Sequence, residues 1–226
     1  MRILSAILYF FSRYPFLSFP VIILLFLFIA AAIAQWRKQP LWYLLAIAGL
    51  LLAPVNAFFG HFMNSLFLNA VGVEGTGYIV QARQTNDMLN NQYVWAYDVV
   101  LKTQDGRDVP AKFNTWTACI YPLRNQILIP PQGEPFVVKY VPGFERNFVI
   151  MSDESEYGRQ RLIERDLEPV EKAAAQLKVS PDNPAFIDEY RKALQTFLAA
   201  HRNDADPDMV RGFEEELNES GPSADK

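Results

Sequence analysis

A single thiol is the most reactive side chain that the sequence offers. Cys119 is the only cysteine and lies between Trp116 and Tyr121. A thiol becomes a nucleophile when a neighbouring cation or histidine stabilises its thiolate, and no histidine or other obvious activator lies close to it in the sequence. We therefore expect a buried or incidental cysteine. One cysteine also excludes an intramolecular disulfide and a multi-cysteine metal site.

Carboxylates are the other candidates for chemistry. Asp153, Glu154 and Glu156 lie within four residues of one another and could pair as acid and base. Negative side chains also suit the start of a helix, and we favour that interpretation. An enzyme, in practice a membrane-anchored hydrolase, would instead have to gather carboxylates from distant segments, such as Asp98, Asp108 and Glu145.

Metal and cofactor motifs are absent from the sequence. His61 and His201 are the only histidines and lie far apart, which disfavours a zinc site. No nucleophile elbow, phosphate loop or kinase signature is present, and Gly72, Gly75 and Gly77 are too loosely spaced for a dinucleotide fingerprint. The sequence thus predicts a protein without catalytic residues, metal or cofactor.

Four aromatic residues are the candidates for binding a partner. Trp95, Tyr97, Trp116 and Tyr121 belong to a region rich in strand signals. We expect them in the core or at the rim of a small β domain, and a ligand or partner platform is the alternative.

Two long apolar segments must position these side chains. Residues 16–34 and 41–59 are uncharged, with nineteen residues each, and residues 35–40 separate them. A nineteen-residue helix rises about 28 Å, close to the thickness of the hydrocarbon core of a bilayer. The sequence predicts a transmembrane hairpin over residues 16–68. A buried soluble hairpin and a cleaved signal peptide ending near residues 32–34 are the alternatives.

Small and polar residues mark the flanks of this hairpin. Residues 1–15 are predicted to form an interfacial segment, with a break at Pro15. Gly49, Ala53 and Ala57 recur every four residues, so another helix can approach this face closely. The first span of the same chain is the expected partner, and contact between copies is the alternative. Asn56 is expected to meet water or a neighbouring carbonyl.

Charge is divided unevenly along the chain. All 25 acidic residues lie at or after Glu74, together with 17 of the 21 basic residues, so this part carries a net charge of −8. That balance argues against nucleic acid and against polybasic docking on anionic lipid. Residues 60–82 hold no Lys or Arg. The segments that flank a membrane span on its cytoplasmic side are normally basic. We therefore expect residues 35–40, the linker between the spans, in the cytoplasm and the soluble portion outside.

Short strands follow the hairpin over residues 70–151. Period-two alternation at residues 93–102 is a strong strand signal, and Asp105-Gly106 predicts a turn before a return strand at 109–113. Further strands are predicted at residues 78–80, 127–129, 136–141 and 148–150. We expect a small all-β barrel or sandwich-like domain.

Three segments carry a resemblance to a known family: GTGYIV (residues 75–80), DGR (105–107) and FVVKYVP (136–142). They resemble the G-x-V-v, dG-r and v-x-Y-x-P elements of a bacterial membrane-associated β-domain family with no assigned function. The resemblance covers roughly residues 70–151 and implies the fold and a membrane context, but no catalytic residue. The chain departs from the family's usual Y-x-x-G element at residues 121–124 and 130–131.

Helical periodicity returns over residues 152–218. Apolar stripes predict amphipathic helices near 156–177 and from Pro184, which Asn183 caps, and Asp206-Pro207 starts a third helix through Leu217. Residues 219–226 are polar and predicted to be disordered.

These observations predict a bacterial inner-membrane protein that combines membrane helices with a β domain and amphipathic helices. Its predicted role is non-enzymatic: the module outside the membrane binds an envelope protein. A scaffold that self-assembles through Gly49, Ala53 and Ala57 is one alternative. A membrane-tethered immunity-type inhibitor of a toxin is another.

Overall fold

The computed structural model describes residues 1–124 and 127–219. They form two compact units, of which the first runs from Met1 to Ser155 and the second begins at Glu156. Of the predicted disordered tail, only Glu219 is described, and it ends the last helix. Residues 220–226 lie outside the described residues.

Helices open the first unit: α1 (Arg2–Arg13), α2 (Pro15–Arg37), a 3-10 helix (Pro40–Leu44) and α3 (Leu45–Val71). Pro15 starts α2, where the missing N–H costs no helical hydrogen bond, and Lys38 ends it with a φ of 53°. The segments Pro15–Arg37 and Pro40–Val71 are long and apolar enough to cross a membrane, and their most apolar windows are only 17% and 11% buried. Their apolar side chains therefore face outward, unlike those of a soluble core helix.

Helix α1 turns its polar side chains inward and its apolar ones outward. Ser5 and Ser12 are buried, whereas Ile3 is 79% exposed and Ile7 is 46% exposed. An amphipathic helix of a water-soluble protein shows the opposite pattern. An apolar outer face suits a helix that lies in a membrane interface.

Close packing joins α2 and α3 within the chain. A Cβ atom added at Gly49 would lie 2.4 Å from Cβ of Phe26 in α2, so only glycine permits this approach. Ala53 is fully buried and Ala57 is half-buried. The small-residue face that the sequence singles out is thus occupied at Gly49 by α2, and its use between copies stays a prediction.

A six-stranded mixed sheet follows α3 after the single residue Gly72: β1 (Val73–Leu89), β2 (Gln92–Lys102), β3 (Asp108–Asn114), β4 (Ile120–Tyr121), β5 (Pro135–Tyr140) and β6 (Phe148–Met151). The strand order is β3-β2-β1-β5-β6-β4. All pairs are antiparallel except β4 with β6.

The predicted barrel or sandwich is wrong, because these strands form one open sheet. The outer strands β3 and β4 do not pair with each other, as closure would require. The C-terminal end of α3 supplies the missing cover: Leu68 is fully buried in a cluster with Val141, Val149 and Met151. A helix thus fills the place that a second sheet would take in a sandwich.

Three features of the strands also differ from the sequence prediction. Residues 127–129 form no strand, and Pro130 and Pro131, which follow them, lack the N–H donors that would continue a ladder. β4 has only two residues, Ile120 and Tyr121, which is too short for periodicity to show. β1 extends to Leu89, well past the predicted end at Val80.

Three helices form the second unit: α4 (Glu156–Val179), α5 (Pro184–His201) and α6 (Pro207–Glu219). Asn183 caps α5 by accepting a 3.0 Å hydrogen bond from the amide of Ala185. Asp206 caps α6 by accepting from the amides of Asp208 and Met209. Their core comprises Val170, Leu194, Phe197, Leu198, Ala205 and Val210. The predicted amphipathic helices are therefore present.

Candidate functional site

The β1–β2 hairpin extends beyond the rest of the sheet as a two-stranded arm. β5 pairs with β1 only as far as Tyr78, and β3 pairs with β2 only from Ala96. Among the described residues, residues 81–95, which we call the arm, therefore have ladder partners mainly within the hairpin itself. Asn90 and Asn91 close it with φ angles of 51° and 62°, the conformation of a type I′ turn, which asparagine tolerates well.

Apolar side chains of the arm are exposed. Met88 is 56%, Tyr93 50% and Trp95 41% exposed. An open groove of about 700 Å³ runs along β2, lined by Tyr93, Trp95, Tyr97, Thr115, Ile127 and Ile129. The three aromatic residues alternate along β2, so their side chains share one face of the strand. β2 has no partner in β3 before Ala96, although the Trp95 backbone bonds to Thr115. Exposed aromatic residues next to such a strand end are typical of protein-binding surfaces.

The four aromatic residues named from the sequence occupy three places. Trp95 and Tyr97 line the groove, and Tyr97 also stacks on Phe113, with 4.8 Å between ring centroids. Burial raises the pKa of the Tyr97 phenol, and a hydrogen bond with Thr115 opposes this shift only in part. The phenol therefore stays neutral and keeps a proton to donate.

The other two aromatic residues lie away from the groove. Trp116 makes an edge-to-face contact with Phe16 of α2, with 5.6 Å between centroids. Tyr121 packs against the buried cluster of Leu68. Trp116 thus marks where the sheet meets the first candidate span, and Tyr121 belongs to the core. Tyr93 was not singled out from the sequence, although the same alternation includes it.

A buried polar network joins α1, α3 and the sheet; we call it the polar clasp, and its members are Ser5, Ser12, Asn64, Cys119 and Asn147. Asn64 donates to the Asn147 side-chain oxygen at 2.8 Å, and Asn147 donates back at 3.0 Å. Asn147 also donates to the Ser5 hydroxyl at 2.9 Å and to the Ser5 carbonyl oxygen at 3.0 Å. Asn64 reaches Ser12 Oγ at 3.2 Å. The two amides thereby satisfy each other in a buried site.

Cys119 is a structural member of the clasp. Asn64 Nδ2 lies 3.4 Å from its sulfur, and the sulfur lies 3.7 Å from the carbonyl oxygen of His61. Burial raises the pKa of the Cys119 thiol. The thiol is therefore protonated and enclosed, which is the opposite of an activated nucleophile. Asn56 is not a member of the clasp, and its side chain donates to the carbonyl oxygen of Phe11 and to the Ser18 hydroxyl.

The clustered carboxylates do not form an acid–base pair. Asp153 accepts two hydrogen bonds from Arg124, at 2.5 and 2.6 Å. Glu154 lies 3.3 Å from Lys139. Glu156 accepts a 2.6 Å hydrogen bond from Arg159, which lowers the pKa of its carboxyl group. Each carboxylate thus has its own cationic partner.

Asp98, Asp108 and Glu145 also stay apart. Lys112 lies 2.8 Å from Asp98 and lowers the pKa of that carboxyl group. Asp108 pairs with Lys102 at 3.2 Å. Burial alone would raise the pKa of Glu145, but the Gly143 amide and Arg107 more than reverse this. Neither Asp98 nor Glu145 is held protonated for general acid catalysis. In the part of the chain that the structure describes, no cluster of His, Cys, Asp and Glu could hold a metal ion.

A histidine between two carboxylates is the strongest electrostatic feature of the helical unit. His201 Nε2 lies 3.0 Å from Asp166 of α4, and Nδ1 lies 3.3 Å from Asp204. Burial alone would lower the pKa of His201, but the two carboxylates raise it overall. Sequence reasoning missed this arrangement; the spacing of His201 and Asp204 was its only local signal.

Comparison with protein-family models, with curated proteins and with solved structures found no match to this chain. The resemblance to a bacterial membrane-associated β-domain family therefore stays a prediction. The geometry described above must carry any functional argument.

Removing both amides of the polar clasp is expected to destabilise the first unit by less than the sum of the two single removals. Asn64→Leu or Asn147→Leu leaves buried partners unsatisfied, at about 1–3 kcal/mol for each. The double variant removes both ends of the pair, so its loss should be smaller than the sum of the single losses. The free energy of unfolding in detergent, followed by circular dichroism, tests this cycle. Strictly additive losses would contradict a direct Asn64–Asn147 coupling.

The helical unit is expected to lose stability as the pH rises through the pKa of His201. The folded state raises this pKa above the unfolded value of about 6.5, so it binds the proton more tightly than the unfolded chain does. The stabilisation that protonated His201 provides is complete at pH values below the unfolded pKa, and it is lost as the pH rises through the folded pKa. Hydrogen exchange of α4 and α5 amides in the full chain, corrected for intrinsic rates, measures the effect. His201→Gln should abolish it and His61→Gln should keep it; an equal slope in both variants would contradict the assignment.

Proposed function

We propose that this chain is a non-enzymatic bacterial inner-membrane protein whose extramembrane part binds an envelope protein through the arm. The observation that carries the proposal is the aromatic groove formed by Tyr93, Trp95 and Tyr97, in which Tyr93 and Trp95 are exposed. It lies next to the part of β2 before Trp95, which has no ladder partner in β3. The groove suits an extended protein segment that adds a strand to the arm and inserts apolar side chains between the rings.

Membrane insertion is supported by two independent features of the first unit. The two candidate spans expose most of their apolar side chains, which would be costly in water. Helix α1 exposes Ile3 and Ile7 while burying Ser5 and Ser12. Both patterns make sense if lipid surrounds the outer surface of these helices.

A binding role is supported over catalysis by the state of the candidate side chains. Cys119 is buried and protonated, and the candidate carboxylates are each ion-paired. Their pKa values, where shifted, move down rather than up. Perturbed groups at catalytic sites commonly move toward neutral pH. A membrane-anchored hydrolase therefore finds no support in these side chains.

We propose that residues 35–40, the linker between the two candidate spans, lie in the cytoplasm and that the sheet lies outside. The 23 residues from Gly60 to Ala82 contain no Lys or Arg, whereas Arg37 and Lys38 lie together at the turn between the spans. Positive charge is retained on the cytoplasmic side. The N-terminus shares the side of the sheet, because Arg2 lies against Gly143.

Site-specific photocrosslinking in membranes tests the binding surface. A photoreactive residue at Trp95 should give one adduct whose partner mass spectrometry identifies, and the same residue at Lys102 should not. Tyr93→Ser should lower the yield about tenfold or more, since truncating an interface aromatic typically costs at least 1–2 kcal/mol, while Tyr93→Phe should keep it. Identical adducts at both positions, or none at Trp95, would contradict the proposal. An adduct of two copies of this chain would favour self-assembly instead.

Cysteine labelling tests the orientation. In a Cys119→Ser background, Lys38→Cys and Lys102→Cys each give the chain one thiol. A membrane-impermeant maleimide should label residue 102, and not residue 38, in cells with a permeable outer membrane and an intact inner one. The reverse pattern would place the sheet in the cytoplasm. Labelling of both positions would contradict a membrane-spanning hairpin.

A further inference from the structure

Three basic side chains line one small cavity beside the polar clasp. Arg13 ends α1, Lys112 lies on β3, and Arg146 lies in the loop before β6. The cavity measures about 20 Å³, which is room for about one water molecule. A larger ligand must therefore lie at its mouth, where Lys112 and Arg146 are exposed.

Arg13 and Arg146 differ from most basic residues of the sheet in their partners. Most basic residues of the sheet pair with carboxylates, as Lys102 does with Asp108 and Arg124 with Asp153. Within residues 1–124 and 127–219, Arg13 and Arg146 form no ion pair. No acidic residue of the described ranges lines the cavity.

The remaining hydrogen-bonding capacity of these groups suits an anion. Arg13 donates from Nη1 to the Thr117 hydroxyl, which fixes the guanidinium and leaves four of its five N–H donors. Lys112 pairs with Asp98, but Asp98 is shared with Arg83. Glu145, the sequence neighbour of Arg146, is satisfied by Arg107 and the Gly143 amide. The local balance is thus positive, although the chain after residue 73 is acidic overall.

The position of the cavity indicates that the anion is the headgroup of a lipid. Arg13 lies two residues before α2, the first candidate span. Trp116, close to Thr117, contacts Phe16 at the start of that span, and tryptophan commonly marks the headgroup level of a membrane. Phosphate groups of lipids occupy the same level.

We propose that Arg13, Lys112 and Arg146 bind the phosphate of one anionic lipid headgroup at the junction of α1, α2 and the sheet. This inference rests on the proposed membrane insertion. The proposed site is small, because three side chains hold a single headgroup. The rest of the surface is acidic and makes no broad contact with anionic lipid.

Native mass spectrometry of the full-length protein, titrated in detergent with short-chain phosphatidylglycerol or phosphatidylcholine, measures lipid binding. Phosphatidylglycerol should bind more tightly, and Arg146→Gln should weaken it about fivefold, the effect expected for one basic residue near a lipid surface. Arg13→Gln should weaken it at least as much. Lys102→Gln, whose cation is exposed and paired with Asp108, is the matched control and should bind like the wild type.

Other outcomes separate the possible failures. Equal binding of the two lipids, or wild-type binding by Arg146→Gln, would overturn the proposal; Arg146 is exposed, so its variant should fold. Displacement of phosphatidylglycerol by millimolar inorganic phosphate, without preference over phosphatidylcholine, would assign the site to free phosphate and overturn the lipid source. Failure of the wild type to insert into phosphatidylcholine vesicles would refute membrane insertion itself, independently of this site.

Discussion

The pairing of two buried amides is the constraint on which the first unit depends. Asn64 and Asn147 are 0% and 1% exposed, and a buried amide without partners costs several kcal/mol. Each side-chain amide donates to the oxygen of the other, and their other hydrogen bonds go to Ser5, Ser12 and Cys119. Because these residues come from α1, α3 and the sheet, satisfying them requires all three elements to hold one relative position.

This constraint explains why the sheet is not simply tethered to the two candidate spans. A single residue, Gly72, separates α3 from β1, and a Cβ atom there would lie 2.4 Å from the Leu68 carbonyl oxygen. Leu68 itself lies in the core beneath the sheet. α3 thus belongs to a candidate span at its start and to the sheet core at its end. Helices α1 to α3 and the sheet therefore belong to one compact unit.

The elements that sequence could predict were those with a strong local period or a specific end signal. The alternation at β2, the Asn183 and Asp206 caps and the two apolar helices depend on neighbours in sequence, and each is present. The open sheet was missed because closure depends on whether β3 and β4 meet, which no local pattern encodes. Trp95 and Tyr97 were named as candidates for the groove, but the exposure of Trp95 follows from β3 pairing with β2 only from Ala96, which is a relation between separate strands.

The net charge of a long segment does not predict the local charge at each site on its surface. The net charge of −8 after residue 73 describes the field at distances beyond the Debye length of about 10 Å, where individual charges merge and are screened. At contact distance the partner of each group decides. Arg107 is neutralised between Asp105 and Glu145, whereas Arg13 meets a hydroxyl. An acidic protein can therefore present a locally cationic surface wherever the fold separates its basic groups from their carboxylates, and here that separation occurs where α1 packs on the sheet.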